Sequence, residues 1–295
     1  MSKKKVLVIG STGQVGSQVV DQLNKMSDEI ELIVTSRRQS QVDEWNTQGR
    51  KAVYLDLDEP RSFGVALAGV DSVFLLTGYT VDMLVQSKTL VDAAVKASVQ
   101  HIVHWGVFPN PDVTDAHFVW HQMIETYIAA SGLSWTNLHP NYPMENLINV
   151  TPIQDGKFPI YSGNARWGWF ALQDGAEVAA VVLRDGPEKH HGKDYWLSTE
   201  SLNGIEAAAV LTEALGVQIS CEVRTPDDLE EFLRSGDFEV EPKYAAGVVE
   251  GMRQMQDGRM AYLATVRDDV PYVTGRASLT LREWAVKHRD ALLGA

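Results

Sequence analysis

The stretch Val6-Leu-Val-Ile-Gly10-Ser-Thr-Gly13-Gln-Val-Gly16 opens the chain and predicts its fold. Its four apolar residues, too few for a stable isolated helix, are typical of a strand buried on both faces, as central parallel strands are. The turn leads directly into a predicted helix from Ser17 to Met26. Because glycines lack a Cβ and a helix N-terminus presents free N–H groups, such a turn suits a pyrophosphate. The spacing is G-x-x-G-x-x-G rather than the common G-x-G-x-x-G, yet the flanking strand and helix favour a dinucleotide site over a plain βα turn.

Composition places the chain among ordinary globular proteins, with 44% hydrophobic and 22% charged residues among 295. That length predicts two unequal lobes. The net charge of −13 argues against non-specific binding to nucleic acid or to an anionic membrane, and only Lys3-Lys4-Lys5 is strongly basic. A single cysteine, Cys221, excludes an internal disulfide and offers no cysteine pair for zinc. With no apolar run of about 18 residues and no signal-type start, we expect a cytoplasmic protein.

Strands and helices are predicted to alternate over the first half of the chain, which requires a parallel, doubly wound α/β sheet. Helices are predicted from about Asp82 to Ala97 and from Asp115 to Ser131. The predicted strands after the first are Ile30–Thr35, Ala52–Asp58, Asp71–Thr77, Gln100–Gly106 and Ser134–Pro140.

The carboxyl ends of these strands should meet at one edge of the sheet, where ligands of such folds bind. Gly10, Arg37, Asp56, Thr77, Gly106 and Pro140 would then converge on a cofactor crevice. An arginine after the second strand accommodates the 2′-phosphate of NADP, so Ser36-Arg37-Arg38 favours NADP, the alternative being two solvated charges. Asp56 is either an acceptor for the adenine amino group or a common turn residue.

Beyond Asn149 the alternation weakens, and a smaller, mostly helical C-terminal lobe is predicted to cover the crevice. The expected domains are 1–150, which binds the dinucleotide, and 151–295, of which about 171–200 returns to the sheet. His190-His191 is predicted to be a solvated turn before a strand at Gly192–Ser198. The last helix is predicted over Ser278–Leu293, with Thr280 and Glu283 as a capping box.

The chain resembles the NmrA-like branch of the atypical short-chain dehydrogenases/reductases over nearly its whole length. The resemblance rests on Gly10–Gly16, Arg37, Asp56-Leu-Asp58 and above all the run from Ser131 to Asn146, which is similar to the family segment "SGL…T.LRP..F.EN". It implies a Rossmann fold and a segment around Pro140 that passes the nicotinamide. Family members are NAD(P)H-dependent reductases of quinones, dyes and other conjugated aromatics, or regulators that sense the cofactor.

Two departures from the family pattern concern the chemistry. His139 stands where many members have the arginine of "LRP", and His121 where many have a lysine. The larger short-chain family uses a Tyr-x-x-x-Lys pair as proton donor, and no tyrosine of this chain has a lysine four residues later. At that spacing stand His117 and His121.

The catalytic candidates are His121, as a proton donor or a positioning group, and Tyr142, beside the nicotinamide or the substrate. Tyr142 could equally be a packed aromatic residue at a strand end. His117, His121 and Glu125 recur every four residues and so share a helix face. A metal site is disfavoured there because neither an H-E-x-x-H arrangement nor a nearby cysteine supports it, and the alternative to a functional role is that the histidines fill the seam between helix and sheet, more so for His117 than for His121. Four aromatic residues, which could equally be core, are predicted to wall a pocket for a flat substrate: Trp105, Trp167, Trp169 and Phe170.

We therefore expect an NADPH-dependent reductase that passes hydride to an electron-poor conjugated substrate such as a quinone, azo compound or dye. The alternatives are a non-catalytic NADP(H) sensor that binds a partner protein, and a ketone or imine reductase with His121 or Tyr142 as acid. No metal is expected. The predicted cofactor-binding residues are Gly10, Thr12, Gly13, Gln14, Val15, Gly16, Arg37, Arg38, Asp56, Leu57, Thr77, Pro140 and Tyr142.

Overall fold

A computed structural model describes residues 3–110, 112–235 and 240–294. Its strands are β1 Lys4–Val8, β2 Ile30–Ser36, β3 Ala52–Tyr54, β4 Ser72–Leu75, β5 His101–Trp105, β6 Ser134–Pro140, β7 Tyr142–Pro143, β8 Lys157–Ile160, β9 Trp167–Phe170, β10 Lys193–Leu197, β11 Glu200–Leu202 and β12 Ser220–Val223. Its α-helices are α1 Gln14–Asn24, α2 Gln39–Thr47, α3 Phe63–Ala66, α4 Met83–Lys96, α5 Ala116–Ala130, α6 Asn146–Asn149, α7 Leu172–Asp185, α8 Pro187–His190, α9 Gly204–Leu215, α10 Pro226–Arg234, α11 Pro242–Gln256, α12 Val270–Thr274, α13 Leu281–Lys287 and α14 Arg289–Leu293.

Seven parallel strands form the central sheet in the order β10-β6-β5-β4-β1-β2-β3. Alternate residues of β1 serve opposite faces: Val6 and Val8 pack in the layer that contains α1 and α7, whereas Leu7 lies in the layer of α4 and α5. Because both faces are covered, the strand is apolar throughout. The doubly wound parallel α/β sheet predicted from the sequence is confirmed.

A second hydrophobic core lies beyond the sheet and joins α9, α13 and two small sheets, β11-β9-β7 and β12-β8. Part of the C-terminal half returns to the central sheet, since β10 pairs with β6 and α7 packs on α1. The division of the chain into domains 1–150 and 151–295 stays a prediction. Along the described part of the chain, no helix is both long enough and apolar enough to cross a membrane.

Three local predictions were wrong. The third strand ends at Tyr54, because Asp56 turns the chain by accepting the amide of Asp58 at 3.0 Å. His190 is buried rather than solvated, and its Nδ1 lies 2.8 Å from the Tyr195 hydroxyl. The last helix is two, α13 and α14, although its Thr280–Glu283 capping box is present as predicted.

Candidate functional site

The turn between β1 and α1 is a cradle built on three glycines. Gly10 has a φ of +71°, and a Cβ on Gly16 would lie 2.1 Å from the Gly10 carbonyl oxygen, so both positions require glycine. Gly13 caps α1 without any side-chain hydrogen bond, and the first turn holds no acidic residue. The amides at the start of α1 therefore keep their capacity to bind an anion. Thr12, Gly13 and Gln14 are exposed at this turn, and Val15 is half-buried.

The end of β2 carries the two arginines predicted to select the cofactor. Ser11, in the turn, donates to the Val8 carbonyl at 2.6 Å and accepts from the Thr35 amide at 3.0 Å, which fixes β2 beside the cradle. Arg38 donates to the Gln41 side chain at 3.1 Å. Arg37 is exposed and has no hydrogen bond or ion pair with the residues described, so its guanidinium is free to receive a phosphate.

Two more strand ends complete this edge of the sheet. Asp56 accepts the Asp58 amide with one carboxylate oxygen and so stabilises the turn. This is the role of a common turn residue, the second of the two alternatives that the sequence left open. Leu57 is half-buried and packs against the core under β1, and Thr77 is half-buried just after β4. These residues lie at the carboxyl edge, but their contacts with a cofactor stay predictions.

A cavity of about 210 Å³ opens at the carboxyl ends of β5 and β6, on the same edge as the cradle and separated from it by β4. Its walls come from the segments after β5 and β6, the start of α5, and α11. Most of the lining is apolar, with three methionines from the C-terminal half, Met252, Met255 and Met260. Methionines adapt to ligands of different outline, which suits a pocket for flat apolar molecules.

The predicted pocket residues divide between this cavity and the core. Tyr142, Trp167 and Pro140 line the cavity, and the Tyr142 and Trp167 ring centroids are 4.8 Å apart. Trp105 and Phe170 instead fill the layer between the sheet and α7, because both are buried among the residues of that core. Trp169 is fully buried in the second core, where its Nε1 donates to the Leu202 carbonyl.

Histidines fill the seam between α5 and the sheet, as the four-residue spacing predicts. The His121 ring lies between those of His104 and His117, with centroid distances of 5.6 and 5.4 Å. His117 also faces the cavity, and its Nε2 is 2.7 Å from the Tyr244 hydroxyl. Glu125 Oε1 lies 3.7 Å from His104 Nδ1 without a hydrogen bond. His121 is therefore one layer behind the cavity wall.

Burial governs the protonation of this seam. It lowers the pKa of His121 well below its ordinary value, helped by the neighbouring histidines, and lowers that of His104 to about 3. Burial raises the pKa of the Glu125 carboxyl to about 7, against the opposing effect of His139. His121 is thus a neutral imidazole at neutral pH. Such a ring is a poor proton donor, so this environment favours a positioning role.

His139, at the position of the family's arginine, joins the seam to the surface. Its Nδ1 is 2.8 Å from the Val107 carbonyl oxygen, and its Nε2 is 3.1 Å from the Asp194 carboxylate. Burial disfavours the ionised form of Asp194, but hydrogen bonds from His139 and Asn137 outweigh it and lower the pKa of that carboxyl.

Sequence reasoning missed the carboxylate in the cavity, which belongs to Asp115. It is fully buried, caps α5 by accepting the Phe118 amide at 3.2 Å, and lines the cavity. The only sequence signal was a helix-capping aspartate, a residue type that occurs at many helix starts without any further role. The methionines of α11 were equally invisible, because α11 follows β5 by more than a hundred residues.

The cradle fits a dinucleotide, since Gly16 cannot bear a Cβ, the start of α1 lacks an anionic cap and Arg37 has no partner among the described residues. The residues that would hold it are those of the turn for the pyrophosphate and Arg37 for a 2′-phosphate. Within the ranges described, no group of three or more His, Cys, Asp or Glu side chains has a geometry that could hold a metal ion. Cys221 is half-buried, and burial raises the pKa of its thiol to about 11.

Comparisons with known proteins agree with this architecture. The NAD(P)H azoreductase of Xenophilus azovorans is 30% identical over 97% of this chain and 98% of its own length. The structure of a triphenylmethane reductase from Citrobacter sp., complexed with NADP(H), superposes with a TM-score of 0.78 at 23% identity, covering 96% of this chain and 99% of that one. A quinone oxidoreductase of Escherichia coli, complexed with NADPH, superposes with a TM-score of 0.79 at 22% identity and the same coverage.

The resemblance found in the sequence is also confirmed by a family-wide match. The sequence model of the NmrA-like family matches residues 2–264, which include the glycine cradle, Arg37 and the run from Ser131 to Asn146. Since that match spans most of the chain and the azoreductase aligns across nearly all of it, this protein belongs to the NmrA-like family.

Proposed function

We propose that the protein is an NADPH-dependent reductase that transfers hydride to an electron-poor conjugated or aromatic substrate, such as a quinone, an azo compound or a dye. The observation that carries the proposal is the methionine-lined cavity on the same sheet edge as the glycine cradle. The names of the similar proteins, an azoreductase, a quinone oxidoreductase and a triphenylmethane reductase, support the substrate class.

The residues of the cradle and of the β2 end would bind the cofactor. Backbone amides at the start of α1 meet the pyrophosphate, and Arg37 meets the 2′-phosphate by charge-assisted hydrogen bonds. Bound NADPH would supply the hydride. The segment from Pro140 to Tyr142 lines the cavity at the end of β6, and the apolar walls of the cavity would keep water away from the reacting atoms.

An acceptor of this class suits the absence of a Tyr-x-x-x-Lys pair. A quinonoid or cationic acceptor develops less oxyanion charge than a ketone does, so positioning beside the hydride donor can supply most of the rate. His121, held neutral by burial, orients the seam behind the cavity and leaves proton transfer to other groups. The ketone or imine reductase reading is less well supported, because it needs an acid at His121 or Tyr142 and burial raises the pKa of the Tyr142 hydroxyl.

The experiment is NADPH oxidation followed by absorbance against a panel of quinones, azo compounds, triphenylmethane dyes, ketones and imines. We expect turnover with members of the first three classes and none with simple ketones. NADPH binding measured in parallel by calorimetry separates the two main readings. Tight binding with no turnover on any acceptor would contradict the reductase proposal and favour a cofactor sensor with a protein partner. An aromatic substrate and a cytoplasmic location remain part of the proposal.

A further inference from the structure

The Asp115 carboxylate has one oxygen in use and one without a partner. Oδ1 accepts the Phe118 amide at 3.2 Å and caps α5, whereas Oδ2 is buried without any hydrogen bond among the described residues. The side chain is 0% exposed and is one of the few polar groups that line the cavity. Buried polar atoms in folded proteins are nearly always paired, so an orphaned carboxylate oxygen in a ligand-sized cavity calls for a donor.

The helix that passes Oδ2 does so at a residue without a side chain. Helix α11 passes the carboxyl at Gly251, where a Cβ would lie 3.5 Å from Oδ2, so no side chain of that position covers it. In the part of the chain that the structure describes, the groups that act on the Asp115 charge are the amides of Phe118 and His117 and the Glu250 carboxylate, and no basic side chain is among them. Tyr262 also carries a buried hydroxyl without a partner, and the Asp115 charge contributes to raising the pKa of that phenol.

An unpaired, buried carboxylate oxygen disfavours the ionised form of Asp115, and this raises the pKa of the carboxyl. Burial raises the pKa of Asp115 to about 6, with the amides of Phe118 and His117 opposing and Glu250 adding to the rise. The group is therefore mostly ionised at pH 7. A ligand that brings an N–H or O–H to Oδ2 would restore the hydrogen bond that the apolar walls deny.

We propose that Asp115 is the recognition residue of the cavity and selects acceptors that insert a flat aromatic part of one or two rings carrying a hydrogen-bond donor, aromatic amines above all. This specifies the substrate class of the function proposed above and rests on it. The size follows from the volume, because an apolar cavity of about 150 Å³ holds benzene and this one is about 210 Å³. The side chains of Met252, Met255 and Met260 would contact the faces of the aromatic ring. Asp115 Oδ2 would accept a hydrogen bond from the donor at one edge of that ring.

A matched pair of ligands tests the proposal without any turnover. An aminonaphthoquinone and the corresponding methylnaphthoquinone have nearly the same shape, but only the first has a donor. Binding is measured by calorimetry at pH 7.5, on the unmodified protein with and without NADP⁺, so that no hydride transfer takes place. We expect the amino compound to bind about tenfold more tightly or better, the usual effect of a hydrogen bond to a buried charged group.

Two substitutions assign the preference to the carboxylate. Asp115→Asn keeps an oxygen that caps α5 but presents an amide N–H₂ to the cavity in place of Oδ2, so the preference should vanish or reverse. Asp115→Ser also keeps a capping hydroxyl and should abolish the preference while leaving the methyl compound bound. The matched control is Glu241→Gln, the same change from carboxylate to amide at the cap of α11, outside the cavity lining. It should leave the preference intact.

Equal binding of the two naphthoquinones, or a preference that survives in both Asp115 variants, would overturn the proposal and assign Oδ2 to a buried water only. Failure of both compounds to bind would overturn it as well. The reductase function fails by a different result, namely a lack of NADPH oxidation with every acceptor. Because ligand preference is measured without turnover, the two failures are distinguishable.

Discussion

Replacing the half-buried Glu125, whose Oε1 is inaccessible to solvent, by glutamine should stabilise the protein at high pH and not at low pH. The Glu125 carboxyl is inserted between α5 and the end of β5, and a Cβ on Gly106 would lie 2.5 Å from its Oε1. That oxygen has no hydrogen bond within the described ranges, and it lies 3.6 Å from His139 Nδ1 and 3.7 Å from His104 Nδ1. Ionising it therefore places a charge in a seam from which water is largely excluded, without a hydrogen bond from the described residues to compensate it.

The size of the effect follows from the acidity. The pKa of the carboxyl is about 7 in the folded protein, against an ordinary value of 4.5. A difference of this size at about 1.4 kcal/mol per pH unit is worth about 3 kcal/mol. Because the folded pKa is the higher one, this stability is fully present below pH 4.5 and is lost as the pH rises through 7. Glutamine does not ionise, so a protein with glutamine at this position does not lose this stability as the pH rises.

The assay is urea unfolding of both proteins at a series of pH values from 4.5 to 8.5. We expect the free energy of unfolding of Glu125→Gln, relative to the parent, to rise by about 3 kcal/mol across that interval. Glu231→Gln, at an exposed position of α10, should show no such trend. A difference that stays constant with pH would refute the reasoning, since it would mean that the carboxyl ionises as easily in the fold as in the unfolded chain.

Three further predictions concern the cofactor and the seam. Arg37→Ala should weaken NADPH binding about tenfold or more and leave NADH binding unchanged, and equal affinity of the parent for both cofactors in calorimetry would contradict this. Gly13→Val should abolish NADPH binding, because its side chain would occupy the approach of the pyrophosphate. The circular dichroism spectrum should not change, since a Cβ at Gly13 lies 3.4 Å from the nearest atom, the Gly10 carbonyl oxygen. Gly16→Ala, by contrast, should disrupt the fold itself, because a Cβ there would lie 2.1 Å from the same oxygen. His121→Phe should raise KM more than it lowers kcat, as a neutral positioning residue would. A loss of kcat of ~100-fold or more with a flattened pH–rate profile would instead return His121 to the role of an acid.

The central sheet was predictable because its signals are local. The apolar run of β1 followed by glycines, and the capping box of Thr280 and Glu283, each lie within a dozen residues and report one physical requirement. The shared face of His117, His121 and Glu125 was equally accessible, since it follows from helix geometry alone.

The cavity was not predictable, because it depends on contacts between distant segments. Asp115 and Gly251 come into contact only after α11 has folded back over the start of α5. Nothing in the sequence around either residue indicates that contact. Trp105 and Trp167 illustrate the same limit, since identical side chains fill a core in one case and line the cavity in the other. The small sheets escaped notice because strands such as β7 are only two residues long.

Because α7 and β10 return to the central sheet, they also determine the order in which α1 and β6 are covered while the chain is synthesised. Helix α1, which begins at the glycine cradle, packs on α7, and β6 is paired on its outer side by β10. A growing chain that has just released β6 from the ribosome therefore exposes one apolar flank of α1 and an open strand edge. The glycine cradle reaches its final support only when translation has passed Asp185, the end of α7, so a cofactor bound there would gain this support for the nascent protein only from that late point.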